Sequence, residues 1–170
     1  MKHFIFTLFV ALFGFSLVCP AQGKKAKTDL SPGQSSPEFC FRDIKNKEVS
    51  LKDFRGKYVY IDVWATWCGP CCGELPHLAK LERRFKDKDI VFVSISLDDR
   101  KKDWADFVKK NRLGGVQLFA NGEKTWTEAY GIESIPRFIL IDKKGRIVNA
   151  KMTRPSDPET GRTLLKLKGI

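Results

Sequence analysis

The sequence predicts one mixed α/β domain whose central sheet is partly parallel and partly antiparallel. Three observations predict it. Strand-like and helix-like runs alternate from Tyr58 to Ala120, a hairpin with a glycine turn follows at Asp142-Lys143-Lys144-Gly145, and a Cys-x-x-Cys pair sits where a strand gives way to a helix. With 170 residues, 42% of them hydrophobic, the chain can bury one full core and leaves little for a second domain.

Taken in order, Phe39 to Asp43 and Glu48 to Leu51 are short alternating runs around Lys45-Asn46-Lys47, the pattern of an opening hairpin. Tyr58 to Ala65 is apolar, β-branched and aromatic throughout, as in a strand covered on both faces. Leu75, Leu78, Leu81 and Phe85 then recur at helical spacing, with Pro76 expected to kink the helix. Ile90 to Leu97 reads as a second buried strand, Trp104, Phe107 and Val108 as an amphipathic helix, and Val116 to Ala120 as a short strand. A short helix near Thr125 to Tyr130 precedes the hairpin strands Arg137 to Ile141 and Arg146 to Ala150. A last helix is expected from near Asp157 to the chain end. The parallel unit should be right-handed.

The charge balance, 31 Lys plus Arg against 20 Asp plus Glu, gives a formal net charge of +11. Basic residues are scattered among acids, as in Lys86-Asp87-Lys88-Asp89, and no cationic stripe is interleaved with aromatics. The sequence therefore argues for a solvated cationic surface and against a nucleic-acid partner.

The first residues differ from the rest. Lys2 is followed by an almost wholly apolar run from Phe4 to Val18 and by Cys19-Pro20-Ala21-Gln22-Gly23, the layout of a secretory signal. The run is shorter than the roughly 20 residues needed to span a bilayer. Export with cleavage after Ala21 or Gly23, giving a soluble periplasmic or otherwise exported protein, is the expectation; lipidation of Cys19 is the alternative. Residues 1–23 are thus read as a signal, 24–37 as a flexible linker rich in Lys, Pro, Gly and Ser, and 38–170 as the folded domain.

Cys68 and Cys71 carry the chemical argument. A zinc site would need two further ligands, and His77 and the distant Cys40 are poor candidates, so no metal is expected. A purely structural disulfide would close a loop too small to constrain the unfolded chain much, which favours redox use. At the first turn of the helix, free N–H groups and the positive dipole end favour a thiolate at Cys68, the expected attacking thiol. Cys71, one turn further, would resolve the mixed disulfide. Pro70 suits a first helical turn.

Asp62-Val63-Trp64-Ala65-Thr66-Trp67-Cys68-Gly69-Pro70-Cys71 resembles the active-site segment of thioredoxins. Cys71-Cys72-Gly73-Glu74-Leu75-Pro76 and Leu51-Lys52-Asp53-Phe54-Arg55-Gly56-Lys57 resemble the exported TlpA/ResA-like branch of that superfamily, and Ser134-Ile135-Pro136-Arg137-Phe138 resembles its cis-proline strand. The matches cover Phe39 to about Ala150, and 64 residues separate Cys71 from Pro136. The resemblance implies a thioredoxin-like three-layer α/β sandwich with a mixed central sheet, an N-terminal β-hairpin and a βα insert between the Cys-x-x-Cys helix and the cis-proline strand.

By the same resemblance, Pro136 is a cis-proline facing Cys68, and the backbone of Ile135 offers hydrogen bonds to an extended substrate. Asp62 interrupts a buried apolar run, where a carboxyl should have a raised pKa, and it matches the acid that accepts the proton of Cys71. Glu74 matches an acid of the TlpA/ResA-like branch that could tune either thiol; a solvated helix residue is the alternative. Trp67 would form an apolar rim for partners, and with Gly69, Pro70, Ile135 and Pro136 completes the candidate substrate contacts. Arg137 could favour acidic partners or simply be exposed. Cys40 is expected to be a buried thiol and Cys72 a small buried hydrophobe or a competing thiol.

The implied function is exchange of disulfides with exported proteins, as a reductant, in periplasmic disulfide reduction or cytochrome c maturation. No cofactor is expected beyond the redox-active disulfide, and a membrane dithiol would donate the electrons. A thiol peroxidase and a non-catalytic binding module are the alternatives. The peroxidase motif lacks its proline, and binding modules commonly lose a cysteine that this chain keeps.

Overall fold

The computed structural model describes residues 30–170. The expected export signal, Cys19 and the first part of the expected linker lie outside the described residues. Seven strands form one sheet: β1 (Cys40–Asp43), β2 (Glu48–Ser50), β3 (Tyr58–Trp64), β4 (Ile90–Ser96), β5 (Val116–Phe119), β6 (Arg137–Ile141) and β7 (Ile147–Met152), in the spatial order β2-β1-β5-β4-β3-β6-β7. β3, β4 and β5 run parallel; β6 pairs antiparallel with β3, β7 with β6, and β1 with both β2 and β5. Helices α1 (Gly69–Arg84), α2 (Lys101–Asn111), α3 (Lys124–Ala129) and α4 (Pro158–Leu165) complete the domain.

Alternation along the strands sorts the core into two layers. Val59, Ile61 and Val63 of β3 point to one face, where they meet Val93, Ile95, Ile139 and the α3-side residues Trp126 and Tyr130. Tyr58 and Tyr60 point to the other face, under Leu78, Leu81 and Phe85 of α1 and Leu164 of α4. Further along that face Trp64 joins Cys71, Trp104 and Val108, from α1 and α2. Helices cover both faces of the mixed sheet, as expected for a thioredoxin-like α/β fold. Every residue of β3 is buried, which accounts for its unbroken apolar run. No helix of the described residues is long and apolar enough to cross a membrane.

Three expectations need correction. Residues 30–37, read as part of a flexible linker, dock on the sheet instead: Gly33 N donates to Ile147 O at 2.8 Å, Ile147 N to Gln34 O at 2.8 Å and Ser36 N to Gly145 O at 3.1 Å. This segment satisfies part of the otherwise open edge of β7, and Leu30 packs on the core. The last helix stops at Leu165 rather than running to the chain end, because the final residues turn back and place Leu167 and Ile170 against the core. Lys143 Nζ holds that tail, donating to Gly169 O at 2.7 Å while pairing with Asp89 at 2.7 Å. Cys40, expected as a buried thiol, is half-buried and disulfide-bonded. It lies between the buried Phe39, just before β1, and the buried Phe41 in it, and so points away from their core.

Candidate active site

The redox pair lies where β3 ends and α1 begins. Cys68 is the N-cap of α1, and its Sγ accepts a hydrogen bond from Cys71 N at 3.2 Å. That donor belongs to the orphan N–H groups of a helix start and favours negative charge on Sγ. Cys68 and Cys71 are joined by a disulfide, with an S–S distance of 1.97 Å and Cα atoms 5.3 Å apart. Cys68 is 6% exposed and Cys71 2%, so Cys68 is the more accessible of the two. Pro70 lies in the first turn, where a missing N–H costs nothing, and α1 continues through Pro76.

Around the pair stand the other expected residues. Trp67 is 68% exposed, an apolar ring presented to solvent beside the disulfide, whereas Trp64 is fully buried. The Ile135–Pro136 peptide is cis, and Ile135 packs against the cluster that contains Cys68 and Cys71. Arg137 is half-buried rather than exposed, with Nη2 donating to Gly131 O at 3.4 Å and Nη1 buried without a partner.

Asp62 is buried on the sheet face beneath α1, paired in register with Ser94 of β4 and Phe138 of β6. Burial pushes its carboxyl up to about 8, with the negative charge of Glu74 adding to the rise and the Ser94 hydroxyl opposing it. Glu74 is buried as well, which excludes the solvated alternative. Its carboxylate accepts hydrogen bonds from Ser156 N and Ser156 Oγ, both at 2.8 Å, with Arg154 Nη1 at 3.8 Å. The segment between β7 and α4 thus fastens Glu74 from above while its charge acts on Asp62 below.

Cys72 is the one thiol among the described residues that is free. It is half-buried, and its Sγ donates to Thr66 O at 3.7 Å. Burial pushes its thiol up, with Asp98 and Asp62 adding to the rise. No group of three or more His, Cys, Asp or Glu among the described residues is placed to hold a metal ion.

Sequence reasoning missed Asp98, Thr66 and Ser156 as site residues. Asp98 was legible in principle, because Ser94, Ser96 and Asp98 recur at every second position in and after an apolar strand and so share the face of Asp62. Ser156 carried no local signal; only the tertiary fold brings it to Glu74.

With this fold and a cysteine pair at the start of α1, the chain is a thiol-disulfide oxidoreductase of the thioredoxin superfamily, TlpA/ResA-like in kind, as its relatives show. The chain belongs to the Redoxin family, whose profile matches residues 31–164. It is 33% identical over 136 residues to the thiol-disulfide oxidoreductase ResA of Bacillus cereus (strain ATCC 10987 / NRS 248), covering 79% of this chain and 76% of the relative. Among solved structures it resembles a Bacteroides vulgatus protein assigned as a thiol-disulfide oxidoreductase, at 52% identity and TM-score 0.72, over 84% of this chain and 96% of that one. It also resembles the thioredoxin domain of a thiol-disulfide oxidoreductase from the same organism, at 34% identity and TM-score 0.74, over 81% and 98% of the two chains.

Proposed function

We propose that this oxidoreductase is exported and reduces disulfides in other exported proteins, with Cys68 as the attacking thiol. The observation that carries the reading is the asymmetry of the pair: Cys68 is the more exposed, and it alone caps the helix. The Cys68 thiolate attacks a substrate disulfide, forming a mixed disulfide and releasing one substrate thiolate. Cys71 passes its proton to Asp62, whose raised pKa brings it near that of a thiol, and its thiolate attacks Cys68 Sγ. The Cys68–Cys71 disulfide forms again, the second substrate sulfur leaves, and two electrons have passed to the substrate. A membrane dithiol that resets the pair completes the cycle.

Glu74 keeps Asp62 a strong enough base by its charge. Trp67, Gly69, Pro70, Ile135 and Pro136 form the surface along which an extended substrate segment lies, with the Ile135 backbone offering hydrogen bonds. Reduction is favoured over oxidation by the Gly69-Pro70 dipeptide between the cysteines. Proteins with a Cys-x-x-Cys-His haem-attachment motif, as in cytochrome c maturation, are among the substrates this reading admits.

Cys71→Ala tests it by leaving the mixed disulfide at Cys68 unresolved. Exported proteins should be recovered covalently bound to Cys68 and be released by a reductant. Failure to trap any partner, together with no turnover of oxidised glutathione by the wild type, would sink the proposal. A reduction potential close to that of DsbA rather than of thioredoxin would reverse the direction.

A further inference from the structure

Two groups outside the proposed mechanism, Asp98 and Cys72, converge on one residue, Thr66, which lies between the end of β3 and Trp67-Cys68. Asp98, 3% exposed, accepts from Thr66 N at 3.2 and 3.1 Å through its two oxygens and from Thr66 Oγ1 at 2.6 Å. Its Oδ2 also accepts from Ser96 Oγ at 2.6 Å, and its own N donates back to Ser96 Oγ at 3.0 Å. Ser96 is the last residue of β4, registered beside Trp64 of β3, so the carboxylate is anchored to the rigid sheet. On the other side, the Cys72 thiol donates to Thr66 O at 3.7 Å.

Thr66 is therefore held at its N–H and hydroxyl by the sheet and at its carbonyl by α1. The two holds bracket the redox pair, because Thr66 precedes Cys68 by two residues and Cys72 follows Cys71 by one. The turn between them is short, with Cys68 N donating to Ala65 O at 3.1 Å and Cys72 N to Cys68 O at 3.0 Å. Breaking the S–S bond removes the covalent tie between the ends of this turn, so the reduced protein depends on such bonds to keep Cys68 at the helix start. No ion pair to Asp98 occurs among the described residues, so hydrogen bonds are what hold this buried carboxylate in place.

We propose that Asp98 and Cys72 are positioning residues that clamp Thr66 and so hold the reduced Cys68 in its attacking geometry. This gives Cys72 a role as a hydrogen-bond donor rather than as a third redox thiol. The proposal rests on Cys68 being the attacking thiol and extends that reading to how the thiol is kept in place.

The test is the rate at which reduced protein is oxidised by glutathione disulfide, followed by the mass loss of the protein. In this reaction the protein dithiol becomes the Cys68–Cys71 disulfide and two molecules of glutathione are released, so only the pair is read. Rates are compared on the high-pH plateau, where removing the charge of Asp98 does not act through the thiolate fraction. Thr66→Val should lose about fivefold and Asp98→Asn about tenfold, with melting temperatures showing that both fold. Thr66→Ser and Cys72→Ser, which keep a hydroxyl donor, should react at nearly the wild-type rate, while Cys72→Ala should lose about threefold. The double variant Thr66→Val/Asp98→Asn should be no slower than Asp98→Asn alone, because the two act as one unit.

Wild-type rates in Thr66→Val and Asp98→Asn, or strictly additive losses in the double variant, overturn the clamp. If Asp98→Asn does not fold, the comparison of Thr66→Val with Thr66→Ser decides alone: equal rates overturn the proposal. A wild type that does not react overturns the reading of Cys68 instead, and so is told apart from failure of the clamp.

Discussion

Asp62, within β3, and Asp98, just beyond the adjacent β4, are two carboxylates buried on the same side of one sheet, and they are treated in opposite ways. Three donor groups converge on Asp98: the N–H and hydroxyl of Thr66 and the hydroxyl of Ser96. Asp62 has the Ser94 hydroxyl for company and two like charges, Glu74 and Glu82, working against its ionisation. One site is built to hold a carboxylate still. The other raises its carboxyl to about 8 by burial and like charge, so that its ionisation is disfavoured. Burial alone does not decide what an acid does here; the number of donors does.

The largest effect should come from emptying the well-supported site. Asp98→Ala leaves the Thr66 N–H, the Thr66 hydroxyl and the Ser96 hydroxyl facing a cavity, which should cost about 3 kcal/mol of stability. Chemical denaturation of the variant against wild type measures it. A loss under about 1 kcal/mol would mean that water replaces the carboxylate and that the contrast between the two sites is overdrawn.

Emptying Asp62 of its charge should do the reverse. An acid whose folded pKa lies above its unfolded value binds protons more tightly when folded, so stability falls as pH rises from about 4 to about 8. Asp62→Asn removes that slope. The variant should be more stable than wild type above pH 8, and the gain should shrink steadily and vanish toward pH 4. Melts across that range test it, and the same variant should resolve mixed disulfides more slowly if Asp62 is the acceptor of the Cys71 proton. A pH-independent difference would show that Asp62 does not titrate in this window.

The contrast between the two acids also marks what the sequence could and could not tell. Local signals were readable: the apolar run of β3, the helical spacing of Leu75 to Phe85 and the glycine turn at Gly145 each specify their element without help from distant residues. Asp62 was readable for the same reason, since a charge inside an apolar strand is anomalous wherever the strand packs. Asp98 follows its strand rather than interrupting it, so it is marked only by its period-two spacing from Ser94 and Ser96. The docking of residues 30–37 and the hold of Ser156 on Glu74 were hidden too, because each pairs segments more than 80 residues apart. Polar composition read the first of these as a tether; the open edge of β7 made it part of the sheet.

The two smallest predictions separate the influences on Asp62 and should move its titration in opposite directions. Glu74→Gln removes the larger of the two like charges while leaving an amide oxygen for Ser156, at a cost of about 1 kcal/mol. The pH at which stability levels off should then fall below about 8, because the charged form of Asp62 is no longer repelled. Ser94→Ala removes the one group that favours the charged form, so the same levelling-off should move above about 8, with only about 0.5 kcal/mol lost at low pH. Both shifts are read from the same melts, or directly from the carboxyl carbon of Asp62 by NMR. If Ser94→Ala moved the titration down, the hydroxyl would be accepting from the protonated acid rather than donating to its carboxylate, and the contrast with Asp98 would rest on Asp62 having no hydroxyl donor in place of one.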